Sequence, residues 1–131
     1  MKKICIDFDG VIHDNLNYKG TRVINGNLIP GTKEALKKLS EHHTVIIHSA
    51  RCEDDEAMQN IAKWLKKHEL NYAVVKNKPN AHIFIDDRAI CFNGKWDETL
   101  EKVSLFSQWQ TAKKRFLKYG RKLKNSVGVS N

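Results

Sequence analysis

The sequence predicts a single α/β domain built on a mainly parallel β-sheet. The chain has 131 residues, which is the usual size of one domain. Hydrophobic residues make up 40% of it and charged residues 29%, so it can build a core and is unlike a disordered chain. Apolar runs alternate with amphipathic segments in the order strand, helix, strand, helix, strand, strand, which is typical of a parallel sheet covered by helices.

The first strand and the first helix are predicted on either side of a polar stretch. Residues 3–8 (KICIDF) are apolar on both faces up to the first aspartate, as in the buried centre of a parallel sheet. The polar stretch, 10–30, holds Asn25-Gly26 between two apolar triplets, which favours a β-hairpin. A helix is predicted over 31–43, with Thr32 as its cap.

The remaining elements follow at short intervals. Thr44–His48 (TVIIH) is β-branched and apolar, which predicts a second buried strand. The segment 53–69 is predicted to be a helix, and its four opening acids lie where the helix dipole favours negative charge. We interpret those acids as a solvated helix start rather than as a metal site. Further strands are predicted at 72–75, 82–85 and, weakly, 90–92, and a further helix starts near Trp96.

Cysteine usage and hydropathy exclude several classes of protein. The three cysteines are an odd number without a CxxC pair, which argues against a disulfide framework and against a cysteine-based zinc site. Only three apolar residues lie between Lys3 and Asp7, too few for a signal-peptide core. No apolar run approaches the roughly 18 residues that a membrane helix needs. We therefore expect a soluble, cytoplasmic protein without a membrane span.

The net charge of +8 is concentrated near the C-terminus. Residues 104–131 contain no acids and seven basic residues, which are Lys113, Lys114, Arg115, Lys118, Arg121, Lys122 and Lys124. We predict a basic helical extension over 110–131 with an apolar stripe. Three interpretations stay open. The stripe packs on the body or on another subunit of an oligomer, the charges of 113–124 bind nucleic acid phosphates, or the segment lies on an anionic membrane surface.

Polar side chains are concentrated where the predicted strands end. Ligands of parallel α/β sheets bind beyond the carboxyl ends of the strands, so these residues are the candidates for a functional site. They comprise four carboxylates, a hydroxyl, a lysine and two arginines, namely Asp7, Asp9, Ser49, Arg51, Lys78, Asp86, Asp87 and Arg88.

Electrostatics decides what four neighbouring carboxylates need. Two carboxylates about 5 Å apart repel by about 3 kcal/mol at an effective dielectric near 20. Such a cluster therefore binds a cation, holds protons or is dispersed by solvent. Oxygen ligands without a nearby histidine or thiolate pair suit a hard ion, and with a phosphate completing the octahedron that ion is Mg²⁺. The alternative is that each aspartate merely caps a strand end or a turn.

The residues at these strand ends resemble the four motifs of the haloacid dehalogenase (HAD) superfamily of phosphohydrolases. The segments are IDFDGVI, VIIHSAR and NKPNAHIFIDDRAI, and the resemblance runs from about Lys2 to about Trp109. It is closest to small capless members whose last motif also reads IDDR, a form shared with 5′(3′)-deoxyribonucleotidases. The resemblance implies a Rossmann-like, three-layer α/β/α fold without a cap domain, with a catalytic domain over 1–109 and the basic extension over 110–131.

The resemblance also implies a covalent mechanism and a role for each motif. Asp7 is expected to be the nucleophile that forms an aspartyl-phosphate, and Asp9 the general acid that then serves as the base for water. Ser49 is expected to hydrogen-bond a phosphoryl oxygen, and Lys78 to lie between nucleophile and phosphate, with Lys76 as the alternative. The full set expected to contact substrate is Ser49, Ala50, Arg51 and Lys78.

The metal implied by the resemblance is Mg²⁺. Its expected ligands are a side-chain oxygen of Asp7, the backbone carbonyl of Asp9, and a carboxylate of the last motif. We favour Asp87 as the direct ligand. Asp86 is expected to reach the ion through a water molecule or to lie behind the direct ligands. His13, just after the first motif, either contacts the substrate or is a solvent-exposed loop histidine.

The expected function is Mg²⁺-dependent hydrolysis of a phosphomonoester, with a nucleotide or another small phosphate as substrate. Two alternatives stay open. One is a phosphatase of nucleic acid 3′ or 5′ ends that is guided by the basic extension, and the other is a non-catalytic binding protein on the same scaffold. Neither gap between the motifs can hold a cap domain, so we expect an open site unless the 15–29 loop or another subunit covers it.

Overall fold

A computed structural model of the chain describes residues 1–111. The chain divides into two compact units, a sheet unit (Met1–Asp87) and a C-terminal unit (Arg88–Asn131). The predicted domain boundary between residues 109 and 110 stays a prediction. The expectations for the basic segment 113–124 lie outside the described residues. Across residues 1–111, no helix is both long enough and apolar enough to cross a membrane.

The sheet unit is an α/β structure with four parallel strands, which confirms the predicted fold class. The strands are β1 (Lys3–Asp7), β2 (Thr44–His48), β3 (Ala73–Val75) and β4 (Ile83–Ile85), in the order β3-β2-β1-β4. The sheet is flanked by helices and does not close into a barrel, which is consistent with a Rossmann-like three-layer fold. Because β1 pairs in parallel with both β2 and β4, the carboxyl ends of these three strands lie side by side.

Helices α1 (Thr32–Ser40) and α2 (Asp55–Lys67) pack on one face of the sheet. Side chains alternate between the two faces of a strand, so Ile4 and Ile6 of β1 share a face with the residues of β2 that lie opposite them. The buried cluster on this face contains Ile4, Ile6, Val45, Ile47, Leu36, Ile61, Trp64 and Leu65. This core fixes the register of β1 and β2, and with it the position of the residues that follow them.

The helix predicted over 53–69 is confirmed as α2, which begins at Asp55 with Asp54 as its N-cap. A short 3-10 helix, Ala50–Glu53, precedes it. The Asp54 side chain accepts a hydrogen bond of 2.9 Å from the backbone N–H of Ala57, so one opening acid is a cap. The prediction for α1 was too long, since that helix ends at Ser40. Gly31, not Thr32, lies at its N-cap position.

The predicted hairpin around Asn25-Gly26 is wrong. Residues 12–14 pair instead with 27–29, through an isolated antiparallel bridge between His13 and Leu28. The backbone N–H groups of Ile29 and Asp14 donate across this pairing to Ile12 and Asn27, at 2.9 and 3.0 Å. The 15–29 loop is thereby closed by its own ends.

The C-terminal unit contains the helix α3 (Trp96–Leu105), which confirms the helix predicted near Trp96. The weak strand predicted at 90–92 is absent from the described structure. The rings of Phe92 and Trp96 lie 4.9 Å apart, so this segment instead packs against the first turn of α3.

Candidate functional site

Three carboxylates meet at the carboxyl ends of β1 and β4. Asp7 is the last residue of β1, and Asp86 and Asp87 directly follow β4. The parallel register pairs Ile6 with Ile85, so the chain leaves both strands at the same level. One oxygen from each of the three carboxylates lies within 4.8 Å of the other two. The sequence predicted four neighbouring carboxylates here, and the structure brings these three together.

The environment of Asp7 disfavours its charged form. Burial, then the negative charge of Asp86, then a hydrogen bond with Asp87 and the charge of Asp87, raise the pKa of Asp7 to about 8, and Asp9 adds a smaller effect. Three carboxylates in this arrangement repel one another, and a divalent cation would relieve that repulsion. The donors are oxygens alone, which is the set that Mg²⁺ prefers. The residues present therefore fit a magnesium ion.

The side chain of Asp9 lies in a different environment, although it is only two residues from Asp7. The chain turns after Phe8, whose carbonyl accepts from the N–H groups of Ile12 and His13 at 3.0 Å, and Gly10 supports the turn with φ 84°. The carboxylate of Asp9 is then bound by Arg51, whose Nε and Nη2 donate at 2.7 and 3.1 Å.

A third donor to Asp9 is the ring of His13, whose Nδ1 lies 2.9 Å from Oδ1. Burial alone would raise the pKa of Asp9. The hydrogen bonds from His13 and Arg51 outweigh burial and hold that pKa below its ordinary value. Asp9 is thus held as a carboxylate by donors, whereas Asp7 lies among other acids.

Arg51 is almost fully enclosed, with 6% of its surface exposed. Besides Asp9, its guanidinium donates to Asn15 Oδ1 at 3.1 Å and to the carbonyls of Gly20, Thr21 and Val23 at 2.9–3.0 Å. Arg51 therefore ties the 15–29 loop to Asp9. The substrate contact expected for Arg51 stays a prediction, and its contacts fit a positioning role better.

The 15–29 loop is also attached to α2. Arg22 donates to the carboxylate of Asp54 at 3.0–3.1 Å, and Asn60 donates to the carbonyl of Arg22 at 2.9 Å. The indole N–H of Trp64 donates to the carbonyl of Gly26 at 3.4 Å. The loop is therefore packed down along its length by side chains of the sheet unit.

His13 is fully buried, so the expectation of a solvent-exposed loop histidine is wrong. Its ring stacks on Phe8 at 5.0 Å and meets the edge of Trp64 at 5.3 Å. Its Nε2 accepts a hydrogen bond of 2.7 Å from the backbone N–H of Gly26. Sequence reasoning missed this role because the four-residue spacing from Asp9 to His13 lies in a turn whose shape the sequence alone does not show.

Ser49 and Ala50 follow β2, next to the strand that carries Asp7. Ser49 is buried and its Oγ accepts from the backbone N–H of Arg51 at 3.1 Å, while Ala50 is exposed. Because Asp7 pairs with His48, Ser49 leaves β2 one residue beyond the level of Asp7. The expected contact of Ser49 with a phosphoryl oxygen stays a prediction.

Lys78 and its alternative Lys76 have different partners. Lys78 is exposed, and its Nζ lies 4.6 Å from the ring centroid of Phe84 in β4. Burial raises the pKa of the Cys5 thiol, and the charge of Lys78 opposes that rise, so Lys78 lies near β1. Lys76 instead pairs with Asp55 at 3.0 Å. Of the two lysines, Lys78 is the one whose charge reaches the strand of Asp7.

The structure is similar to that of a conserved protein coded by a locus from Bacteroides thetaiotaomicron. The TM-score is 0.54 and the sequence identity 27%, and the match covers 82% of this chain and 98% of that chain. No protein-family model matches the chain, and no curated protein sequence matches it. The similarity supports the α/β fold described above.

Proposed function

We propose that this protein is a Mg²⁺-dependent phosphomonoester hydrolase that acts through an aspartyl-phosphate on Asp7. The observation that carries the proposal is the cluster of Asp7, Asp86 and Asp87 at the carboxyl ends of two adjacent parallel strands, with oxygens within 4.8 Å of one another. This is the edge at which parallel α/β sheets bind ligands. The resemblance of the three motif segments to HAD phosphohydrolases supports the same proposal.

The residues that would hold Mg²⁺ are Asp7, Asp86 and Asp87, with Asp87 favoured over Asp86 as the direct ligand. By the resemblance, the backbone carbonyl of Asp9 would join them. When bound, the ion would neutralise the carboxylates and the incoming phosphate, which would otherwise repel each other.

The proposed reaction has two halves, and Asp7 and Asp9 take part in both. In the first half, a carboxylate oxygen of Asp7 forms a bond to phosphorus and the bond to the leaving oxygen breaks. Asp9 gives the leaving oxygen a proton that it first takes from solvent, against the hydrogen bonds that favour its charged form. In the second half, Asp9 is a carboxylate and takes a proton from the water that releases phosphate from Asp7. The three hydrogen bonds to Asp9 match its charge in the second half.

Two further side chains are proposed to bind the phosphoryl group, Ser49 through its hydroxyl and Lys78 through its ammonium. The proposed substrates are small phosphomonoesters, with nucleotides first because of the IDDR segment.

The test is hydrolysis of an aryl phosphate, followed by a panel of nucleoside monophosphates, sugar phosphates and oligonucleotides with terminal phosphates. We expect activity with Mg²⁺, loss of activity on chelation, and recovery when Mg²⁺ is returned. Asp7→Asn is expected to abolish turnover while the protein stays folded. Asp55→Asn is the matched control, since Asp55 is an exposed acid paired with Lys76 on α2.

Three outcomes would contradict the proposal. Wild-type turnover by Asp7→Asn would exclude Asp7 as the nucleophile. Binding of Mg²⁺ without turnover of any phosphate in the panel would instead favour a non-catalytic binding protein. A preference for oligonucleotide ends that weakens steeply with salt would favour a phosphatase of nucleic acid ends.

A further inference from the structure

His13 is a buried polar side chain that the proposed reaction does not use. It has no exposed surface, and both of its ring nitrogens are engaged. Nδ1 faces Asp9 Oδ1 at 2.9 Å, and Nε2 faces the backbone N–H of Gly26 at 2.7 Å. A histidine held on both sides in this way has a fixed orientation as well as a fixed position.

The partner of Nε2 determines the protonation pattern of the ring. The Gly26 N–H can only donate, so Nε2 must accept and carries no proton. In the neutral ring, the proton therefore lies on Nδ1, which donates to Asp9 Oδ1. The backbone N–H of Gly26 thus determines that Nδ1, the nitrogen of His13 that faces Asp9, carries the hydrogen.

The approach of Gly26 to His13 requires the absence of a side chain. A Cβ at position 26 would lie 2.5 Å from His13 Nε2 and 2.5 Å from Asp14 Oδ1. Stacking on Phe8 and the edge contact with Trp64 hold the ring from other directions. The loop, the ring and Asp9 therefore form one connected arrangement.

We propose that His13 is a positioning residue that, together with Arg51, fixes the carboxylate of Asp9 to activate water in the second half of the reaction. Arg51 binds both oxygens of Asp9, and its other donors hold the 15–29 loop. His13 donates to Oδ1 through Nδ1, and its other ring nitrogen, Nε2, accepts from the loop backbone at Gly26. The inference rests on the proposed function and extends it to a residue outside the predicted site.

Two substitutions at His13 separate positioning from packing. His13→Phe keeps an aromatic ring between Phe8 and Trp64 but removes both nitrogens. His13→Asn loses the ring but keeps an amide N–H near the place of Nδ1, from which it can donate to Asp9. Both remove the acceptor of the Gly26 N–H, and only His13→Asn also loses the ring contacts. A slower reaction in His13→Phe than in His13→Asn would therefore identify the lost donor to Asp9 as the cause.

The matched control is His68→Phe. The ring of His68 lies 4.1 Å from that of Trp64, so it belongs to the same aromatic cluster. The change has the same chemistry as His13→Phe, but His68 is not one of the side chains that donate to Asp9. Thermal unfolding of all variants measures any loss of folding.

The measurement is the rate at which phosphorylated enzyme loses phosphate, followed by rapid quench with a radiolabelled aryl phosphate and Mg²⁺. In His13→Phe, we expect this rate to fall about 10- to 100-fold, part of the 10²–10⁴ that a positioned base contributes, so that phosphoenzyme accumulates. His13→Asn should stay nearer the wild-type rate than His13→Phe, and His68→Phe should match the wild type.

The inference is overturned if His13→Phe, shown to be folded, releases phosphate at the wild-type rate. It is also overturned if His13→Asn releases phosphate as slowly as His13→Phe or more slowly, because loss of packing alone would then account for the effect. Failure of the proposed function looks different, since no phosphoenzyme would form even in the wild type.

Discussion

The substitution Gly26→Ala tests how closely the loop approaches the ring of His13. The methyl group would lie 2.5 Å from both His13 Nε2 and Asp14 Oδ1. Neither atom can retreat easily. Phe8 and Trp64 pack against the His13 ring, and Asp14 Oδ1 accepts from the backbone N–H groups of Leu16 and Asn27 at 3.3 and 3.2 Å.

The sign of the effect makes this prediction sharp. Gly26 is not among the glycines with positive φ, so alanine suits its backbone. In open space, the change would stabilise the protein by about 0.4–1 kcal/mol, because it restricts the unfolded chain. Overpacking costs about 1–3 kcal/mol, and a weakened hydrogen bond to His13 about 1 kcal/mol more. We expect a net loss of about 2 kcal/mol in the free energy of unfolding, or roughly 8 °C in Tm.

The assay is urea unfolding followed by circular dichroism, with thermal unfolding as a second probe. Asn25→Ala is the control, since Asn25 is the exposed neighbour in the same loop and should change stability by less than about 0.5 kcal/mol. A Gly26→Ala protein as stable as the wild type, or more stable, would refute the close approach of the loop to His13.

Three further predictions concern the N-cap of α2, the hydrogen bonds from Arg51 to Asp9, and the metal. Asp54→Ala should cost about 1 kcal/mol through loss of the N-cap, measured by urea unfolding against the exposed neighbour Asp55→Ala. The hydrogen bond from Arg22 lowers the pKa of Asp54. The stability that the Asp54 carboxylate contributes is therefore present above the ordinary carboxyl pKa and is lost as the pH falls through the lower pKa of the folded state. Asp54→Ala should flatten the fall in unfolding free energy at acid pH, and an unchanged fall would contradict this. Arg51→Met should lower the free energy of unfolding by about 3 kcal/mol, because it leaves the Asp9 carboxylate without its cation. A loss below about 0.5 kcal/mol would show that the pairing of Arg51 with Asp9 contributes little to stability. Mg²⁺ at 100 times its Kd should stabilise the wild type by about 2.7 kcal/mol, and Asp87→Asn should remove most of the accompanying rise in Tm; an equal rise in both would exclude Asp87 as a ligand.

The sheet could be predicted from the sequence because its signals are local. β1 and β2 are buried strands whose β-branched and apolar runs have no competing helical period, and both were predicted within one residue of their ends. The carboxylates after β1 and β4 then meet because parallel strands place their carboxyl ends at one edge. For these residues, position along the chain nearly determines position in space.

The loop could not be predicted in the same way, because its conformation depends on distant partners. Asn25-Gly26 has the composition of a hairpin turn, but the N–H of Gly26 is bound to His13 and its carbonyl accepts from Trp64. Those two side chains lie 13 and 38 residues from Gly26 in the chain. The glycine is therefore needed for close approach rather than for a turn, and the sequence pattern is the same in both cases.

The contrast between Asp7 and Asp9 follows from the same combination of local and distant contacts. The turn at Gly10 separates two carboxylates that are two residues apart, and each then meets a different set of neighbours. Asp7 lies with the acids that follow β4, an environment that calls for a cation, while Asp9 lies with Arg51 and His13, which already supply hydrogen bonds and positive charge. Two carboxylates in opposite electrostatic surroundings suit the two different roles proposed above. Asp7 would bind the metal and attack phosphorus, and the side chain of Asp9 would move a proton. Removing Arg51 and His13 together would abolish that contrast. Asp7 should then still become phosphorylated, but phosphate should be released from it slowly.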